Sequence, residues 1–289
     1  MNSIHSTSLI DPSVQLGNFN QIGKNVQIKY LDEKIKPTVV IGDNNIINDN
    51  TRILIGTSPL YIGDWNVFHN DMLVMVGKGI NIGHNCWFGQ NTILDGTGGL
   101  SIANGVRVGM YSQIWTHVAS GELVEGCMLF GDSQVTIEDD VWLVGSCVVS
   151  SGIHLRKKSV FLINSVITKD SEPEKLYSGT PATINNKVEV WKKLNPIDKL
   201  KMLLEWGELF CYNKKYKINN QIELGYFSIE STDDKEMLIF FINEEFVIPT
   251  EFCVSLFSIL DKTLTKTNSL LERTFYKSIY NNKARFRTI

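Results

Sequence analysis

Moving a proton near neutral pH calls for an imidazole, because the ordinary pKa of histidine lies near 6.5. The chain holds five: His5, His69, His84, His117 and His154. Four of them fall inside a regular apolar pattern, where a surface or packing role is expected. The fifth, His117, stands in QIWTHVASGELVEGCMLFGDSQVTI, residues 113–137, where that pattern stops. Loops carried on a rigid scaffold are where catalytic groups concentrate. His117 is therefore the candidate general base. A zinc site built from histidines needs a close pair. The intervals here, 15 residues from His69 to His84 and 33 from His84 to His117, supply none. The five cysteines (Cys86, Cys127, Cys147, Cys211 and Cys253) are scattered and form no C-x-x-C pair. The reading is reduced thiols, no metal and a cytoplasmic protein.

The elements that must position His117 follow from the repeat. Counting by six from Ile4 gives Ile10, Leu16, Ile22 and Ile28. After the polar insertion YLDEKIKPT come Ile41, Ile47 and Ile53, then Ile62, Phe68 and Val74. Next are Ile82, Phe88 and Leu94, then Ile102, Val108 and Ile114. After the long break the count resumes at Ile137, Leu143, Val149, Leu155, Phe161 and Ile167. A period of six fits neither a helix nor a simple strand. It fits short extended segments joined by sharp corners, three to a coil, with coils stacked at strand spacing, ~4.8 Å. Glycine follows the apolar residue at Gly17, Gly23, Gly42, Gly63, Gly83, Gly89 and Gly109, and is expected there because it accepts φ > 0 at a corner.

ILDGTGGLSI, VRVGMYSQIWTH, VTIEDDVWL, SSGIHL, NSVITKD and SGTPA stand in this order over Ile82–Pro181. The ordered set resembles the hexapeptide-repeat acyltransferases, in particular the bacterial sugar and polysaccharide O-acetyltransferases. The opening IHSTSLIDPSVQLGN resembles the first coils of the sugar-nucleotide acyltransferase branch. The resemblance covers roughly the first 185 residues. It implies a mainly β chain: a left-handed parallel β-helix over 1–186, interrupted by an insertion loop at 117–135. It further implies a homotrimer with active sites between subunits, acetyl-CoA in the groove, and His117 at the position of the catalytic histidine.

Acyl transfer from a thioester to an alcohol needs a base, donors for the developing oxyanion and two positioned substrates. His117 is expected as the base. Many relatives carry a second histidine or an acid two residues on, where this chain has Ala119. A different group must then hold the other ring nitrogen. Asp95, one coil below Trp115 in the stacking register, is the first candidate; Glu122 and Glu125 in the insertion are the others. Trp115 and Glu122 are candidates for the carbohydrate acceptor, with a trimer contact as the alternative for Trp115. The resemblance assigns Trp142 and Gly145 to the pantetheine channel, and Thr168 and Lys169 to the coenzyme's tail and phosphates. Arg156, Lys157 and Lys158 form a basic corner, either solvated or facing the 3′-phosphate.

Sixfold periodicity ends at Ile167, and SGTPA closes the prism. Residues 187–289 read as a small α+β domain of unknown role. Asn195 is an N-cap and Pro196 the first helical position, with Leu200, Leu203, Leu204 and Phe210 on one face. Strands are expected around Tyr216–Ser231, Met237–Val247 and Ser255–Thr265, then a helix from Ser269 to about Asn281.

A net charge of −3 gives no reason to expect nucleic acid or an anionic membrane as partner. No apolar run reaches the roughly 18 residues of a bilayer span, and MNSIHSTSLIDPS does not read as a secretory signal. The function expected is acetyl-CoA-dependent O-acetylation of a sugar hydroxyl in a bacterial surface polysaccharide or its precursor. The alternatives are N-acylation of an amino-sugar nucleotide and a non-catalytic β-helix scaffold.

Overall fold

The structure, a computed structural model, describes every residue except 120, 213, 214 and 232, and the side chain of residue 119. The chain divides into two compact units, Met1–Trp191 and Lys192–Ile289.

The first unit is a three-faced parallel β-helix. One face stacks Ser3–Ile4, Gln21–Ile22, Ile46–Ile47, Val67–Phe68, Trp87–Phe88, Arg107–Val108, Trp142–Leu143 and Val160–Phe161. Leu176–Ser178 extends it, and Thr183–Ile184 turns back antiparallel at its end. The second face runs from Leu9–Ile10 to Val166–Ile167, and the third from Gln15–Leu16 to His154–Leu155. Register is strict. On the second face Ile28, Ile53, Val74, Leu94, Ile114, Val149 and Ile167 pair one above the other. All seven are buried in one continuous core. Each position hides a whole aliphatic side chain, which stabilises by about 1.5–3 kcal/mol. This is why a six-residue apolar beat suffices to specify the fold.

The glycines after the ladder residues work differently from the expectation. Left-handed backbone at the corners is carried mainly by Asn and Asp, among them Asn25, Asn44, Asn85, Asn91, Asp140 and Asn164. Asparagine and aspartate tolerate that conformation through local hydrogen bonding. None of the seven ladder glycines has a positive φ. They are glycine because the coil above comes too close: a Cβ on Gly63 would lie 2.7 Å from the Gly83 carbonyl oxygen, and one on Gly109 would overlap the Val144 carbonyl.

One corner carries a ladder of side-chain acceptors. The Asp43, Asp64 and His84 amides donate in turn to Asp64 Oδ1, His84 Nδ1 and Asn104 Oδ1. The Asn104 amide donates to Asp139 Oδ1 at 2.9 Å. His84 thus takes a structural place otherwise held by aspartate or asparagine.

The second unit is a six-stranded mixed sheet with two helices. Helix Pro196–Cys211 is capped by Asn195, whose side chain accepts from the Asp198 amide at 2.8 Å, and it buries Leu200, Leu203, Leu204 and Phe210. Helix Leu270–Ile279 is capped by Ser269. Phe227, Phe240 and Phe257 stack across three neighbouring strands, and Phe210 meets Phe275 edge-on. Three expectations change here. The Tyr216–Ser231 stretch is a hairpin, Tyr216–Gln221 and Tyr226–Ser231, turned at Gly225 with φ 82°. The next strand, Glu236–Phe241, stops six residues before Val247. Cys253–Ser258 and Thr263–Thr265 are separate strands. The closing basic segment also supplies a strand, Arg287–Thr288, because Phe286 is buried against Phe257 and Tyr276.

Candidate active site

The break in the repeat begins just past the second face, whose strand ends at Ile114, with the chain leaving at His117. Chain continuing from Ile114 keeps stacking through Trp115 and Thr116, then leaves as His117–Ala119, which pairs antiparallel with Phe130–Asp132. His117 lies opposite Asp132. The base of this hairpin is pinned to the coil above. The Thr116 carbonyl accepts from the Ser133 amide at 3.0 Å and from Ser151 Oγ at 2.8 Å. Between the strands lies a short 3-10 turn, Leu123–Glu125, whose surroundings are exposed: Leu123, Val124, Met128, Leu129 and Phe130 all face outward.

Asp95 ends the strand Ile93–Asp95 one coil below, and its carboxylate is fully buried. Oδ2 sits 2.7 Å from His117 Nδ1 and accepts from the Thr116 amide and hydroxyl at 2.8 and 2.9 Å. Oδ1 accepts from the Thr97 amide at 3.0 Å and hydroxyl at 2.6 Å. Burial alone would push this carboxyl up. The hydrogen bonds from Thr97, Thr116 and His117 outweigh burial and hold it below the usual carboxylate range. An ionised Asp95 accepts a proton bond from Nδ1, so the neutral imidazole carries its hydrogen there and its lone pair on Nε2. His117 is partly open, with 34% of its side chain exposed. The arrangement is that of a base with a buried orienting carboxylate.

The remaining candidates divide by edge. Because Ile114, Val149 and Ile167 stack, Thr168 and Lys169 lie on the same edge as His117, two coils above Trp115 and Thr116, or ~10 Å at strand spacing. Both are exposed. Trp142 lies on the first face, 44% exposed, and Gly145 at the corner between the first and second faces. A single chain therefore does not bring Trp142 and Gly145 to the edge of His117. Trp115 stands beside His117, ring centroids 6.1 Å apart, its Nε1 donating to Gln113 Oε1. Glu122 is exposed and precedes the 3-10 turn. Neither it nor Glu125 contacts His117 among the described residues. The departure at Ala119 concerns a side chain outside the described residues.

Arg156, Lys157 and Lys158 occupy the third corner. Arg156 meets Glu138 and Lys158 meets Glu174, each at 3.3 Å. That is a solvated corner away from His117. The other histidines have local partners. His5 Nδ1 lies 3.1 Å from Thr7 Oγ1, His69 packs edge-on against Trp87, and His154 sits 2.7 Å from Glu138. Sequence reasoning missed Thr97, Thr116 and Ser151. A hydroxyl residue next to a candidate base was the one signal available for Thr116. Among the described residues no cluster of His, Cys, Asp or Glu could hold a metal ion. No helix among them is long and apolar enough to cross a membrane.

No protein-family model matches the chain. It is similar to a galactoside O-acetyltransferase of Lactococcus lactis, 25% identical over 176 residues, 61% of this chain and 75% of that protein. Among solved structures it is similar to the polysialic acid O-acetyltransferase OatWY: TM-score 0.44, 21% identity, 67% of this chain and 88% of that one. It is also similar to a UDP-N-acetylglucosamine acyltransferase: TM-score 0.40, 17% identity, 63% and 73% covered. At these TM-scores the structural likenesses carry nothing about activity.

The prism keeps a six-residue register and is broken once, where His117 meets the buried Asp95 carboxylate. In its repeat motifs and in its likeness to the Lactococcus protein, the chain is similar to the hexapeptide-repeat acyltransferases.

Proposed function

We propose that the protein transfers the acetyl group of acetyl-CoA to a sugar hydroxyl, in a bacterial surface polysaccharide or its precursor. The observation that carries this reading is the His117–Asp95 contact, which directs the basic Nε2 away from the buried carboxylate. The name of the Lactococcus relative supports an O-acetyl product.

In this reading His117 Nε2 takes the acceptor's hydroxyl proton as its oxygen attacks the thioester carbonyl. Asp95 stabilises the resulting imidazolium and keeps the ring from turning. A backbone amide holds the oxyanion. The C–S bond then breaks, and the proton on His117 passes to the departing thiolate. Thr168 and Lys169, on the edge of His117, fit the tail of the coenzyme, with Lys169 the cation for a phosphate. Trp142 and Gly145 fit the pantetheine arm if a neighbouring subunit presents them, which is the reason to infer a homotrimer with shared sites. Trp115 and Glu122 are assigned to the acceptor side.

The test is a panel of methyl glycosides and their amino-sugar counterparts, incubated with acetyl-CoA and read by mass shift. Acetylation of hydroxyl acceptors is expected. Transfer confined to amines would replace the reading with N-acylation. His117→Ala is expected to lower kcat by about 10²–10⁴ with coenzyme affinity nearly unchanged. Near-wild-type turnover would sink the assignment.

A further inference from the structure

A second charged pair reaches the same hairpin from below. Lys78 Nζ lies 2.6 Å from Asp132 Oδ2. Lys78 belongs to a corner two coils beneath Thr116, since Met75 pairs with Asp95 and Leu94 with Ile114. The ion pair therefore skips a coil. Three glycines make this possible. A Cβ on Gly77 would lie 2.5 Å from Thr97 Cα, and Gly79 has φ 108°, so both neighbours of Lys78 are confined to glycine. In the coil between, a Cβ on Gly98 would lie 2.8 Å from Asp132 Oδ1 and would overlap the Thr116 carbonyl. The missing side chain at Gly98 leaves the space in which the Asp132 carboxylate sits.

Asp132 is the residue paired with His117 across the hairpin. Directly opposed residues of an antiparallel pair project to the same side. Its Oδ1 is buried and has no hydrogen-bond partner among the described residues. It is therefore a carboxylate on the strand opposite His117, paired with Lys78. Within the returning strand Phe130–Asp132, Asp132 is tied to the coils below through its ion pair with Lys78.

We infer that Lys78 and Asp132 are positioning residues for His117: the pair seats the hairpin strand opposite the imidazole and sets the charge beside it. The inference rests on the reading of His117 as the base. The charged groups around His117 among the described residues are Asp95, in contact with Nδ1 from the coil below, and Asp132 on the opposed strand with Lys78 paired to it.

The experiment is the pH dependence of His117 carbethoxylation by diethyl pyrocarbonate, followed residue by residue by mass spectrometry in the full-length protein. It needs no acceptor. Asp132→Asn removes a negative charge and is expected to move the rise in reactivity to lower pH. Lys78→Met uncovers that charge and is expected to move it to higher pH. Loosening of the hairpin alone would move both the same way, and that result, or no movement in either variant, overturns the inference. With acetyl-CoA and the glycoside acetylated best in the panel, Lys78→Met is expected to lower kcat about three- to tenfold, in line with a partly exposed ion pair. Lys78→Arg should retain most of the rate, and the KM for acetyl-CoA should stay unchanged in both. Equal kcat for the Met, Arg and wild-type proteins would also overturn it. Should His117→Ala keep full activity, the assignment of the base fails, while the carbethoxylation profiles still decide whether the pair acts on His117.

Discussion

Asp95 serves two ends at once: it closes a corner through Thr97 and holds a histidine through Nδ1. The two can be separated. Asp95→Asn keeps most of the shape but offers an amide where a charge stood. It is expected to lower kcat by at least tenfold, because in the proposed mechanism the imidazolium loses its counter-charge. It should also cost stability in a pH-dependent way. The carboxyl is held below its usual range in the folded protein, so its contribution is complete above the ordinary Asp value near 3.9 and is lost as pH falls through the lowered one. Chemical denaturation of wild type and Asp95→Asn should therefore differ at pH 7 and converge in acid. Asp95 was legible in the sequence because stacking by sixes sets it beneath Trp115. Thr116 was not, since a threonine in sequence contact with a histidine adds no periodic signal. The Lys78–Asp132 pair was invisible for a related reason: it crosses two coils, and the period says which corners align but not which side chains reach past their neighbours.

Among elements, the coil is the unit of both stability and legibility. One apolar residue per side names its position in the core, so Ile114 and Val149 could be stacked from the sequence alone. The second unit has no such beat. Its strands are buried on both sides or paired through turns, and the Tyr216–Ser231 hairpin was hidden because its turn is marked by little besides Gly225. Leu94→Ala, which empties one rung directly below Ile114, is expected to destabilise by about 2–5 kcal/mol in equilibrium unfolding. Gly109→Ala adds only a methyl group. It should still destabilise by about 1–3 kcal/mol, because the new Cβ meets the rigid Val144 carbonyl rather than a flexible side chain.

For the whole molecule, the decisive point is that Trp142 and Gly145 share no edge with His117. A subunit-shared site makes a clear prediction. His117→Ala and Trp142→Ala proteins, each of low activity, should regain about a quarter of the wild-type rate when unfolded and refolded together in equal amounts, since a random assembly pairs an intact His117 with an intact Trp142 at that frequency. Native mass spectrometry should show three chains. No gain on mixing would mean that each chain builds its site alone. The outward-facing Leu123, Val124, Met128, Leu129 and Phe130 should become protected from oxidative footprinting in the assembly if the insertion contributes to its contacts.

The stack of coils is also a gauge. Distance along the His117 edge comes only in whole rungs, and Lys169 is two rungs away. A chain that gained one complete coil between residues 135 and 152 would keep its core, its corners and its dyad. It would nonetheless set Lys169 one rung, ~4.8 Å, too far from the imidazole. The spacing between Lys169 and His117, on the proposed reading that of cosubstrate anchor and base, is thus counted by the backbone, and side-chain substitution cannot tune it by fractions of a rung.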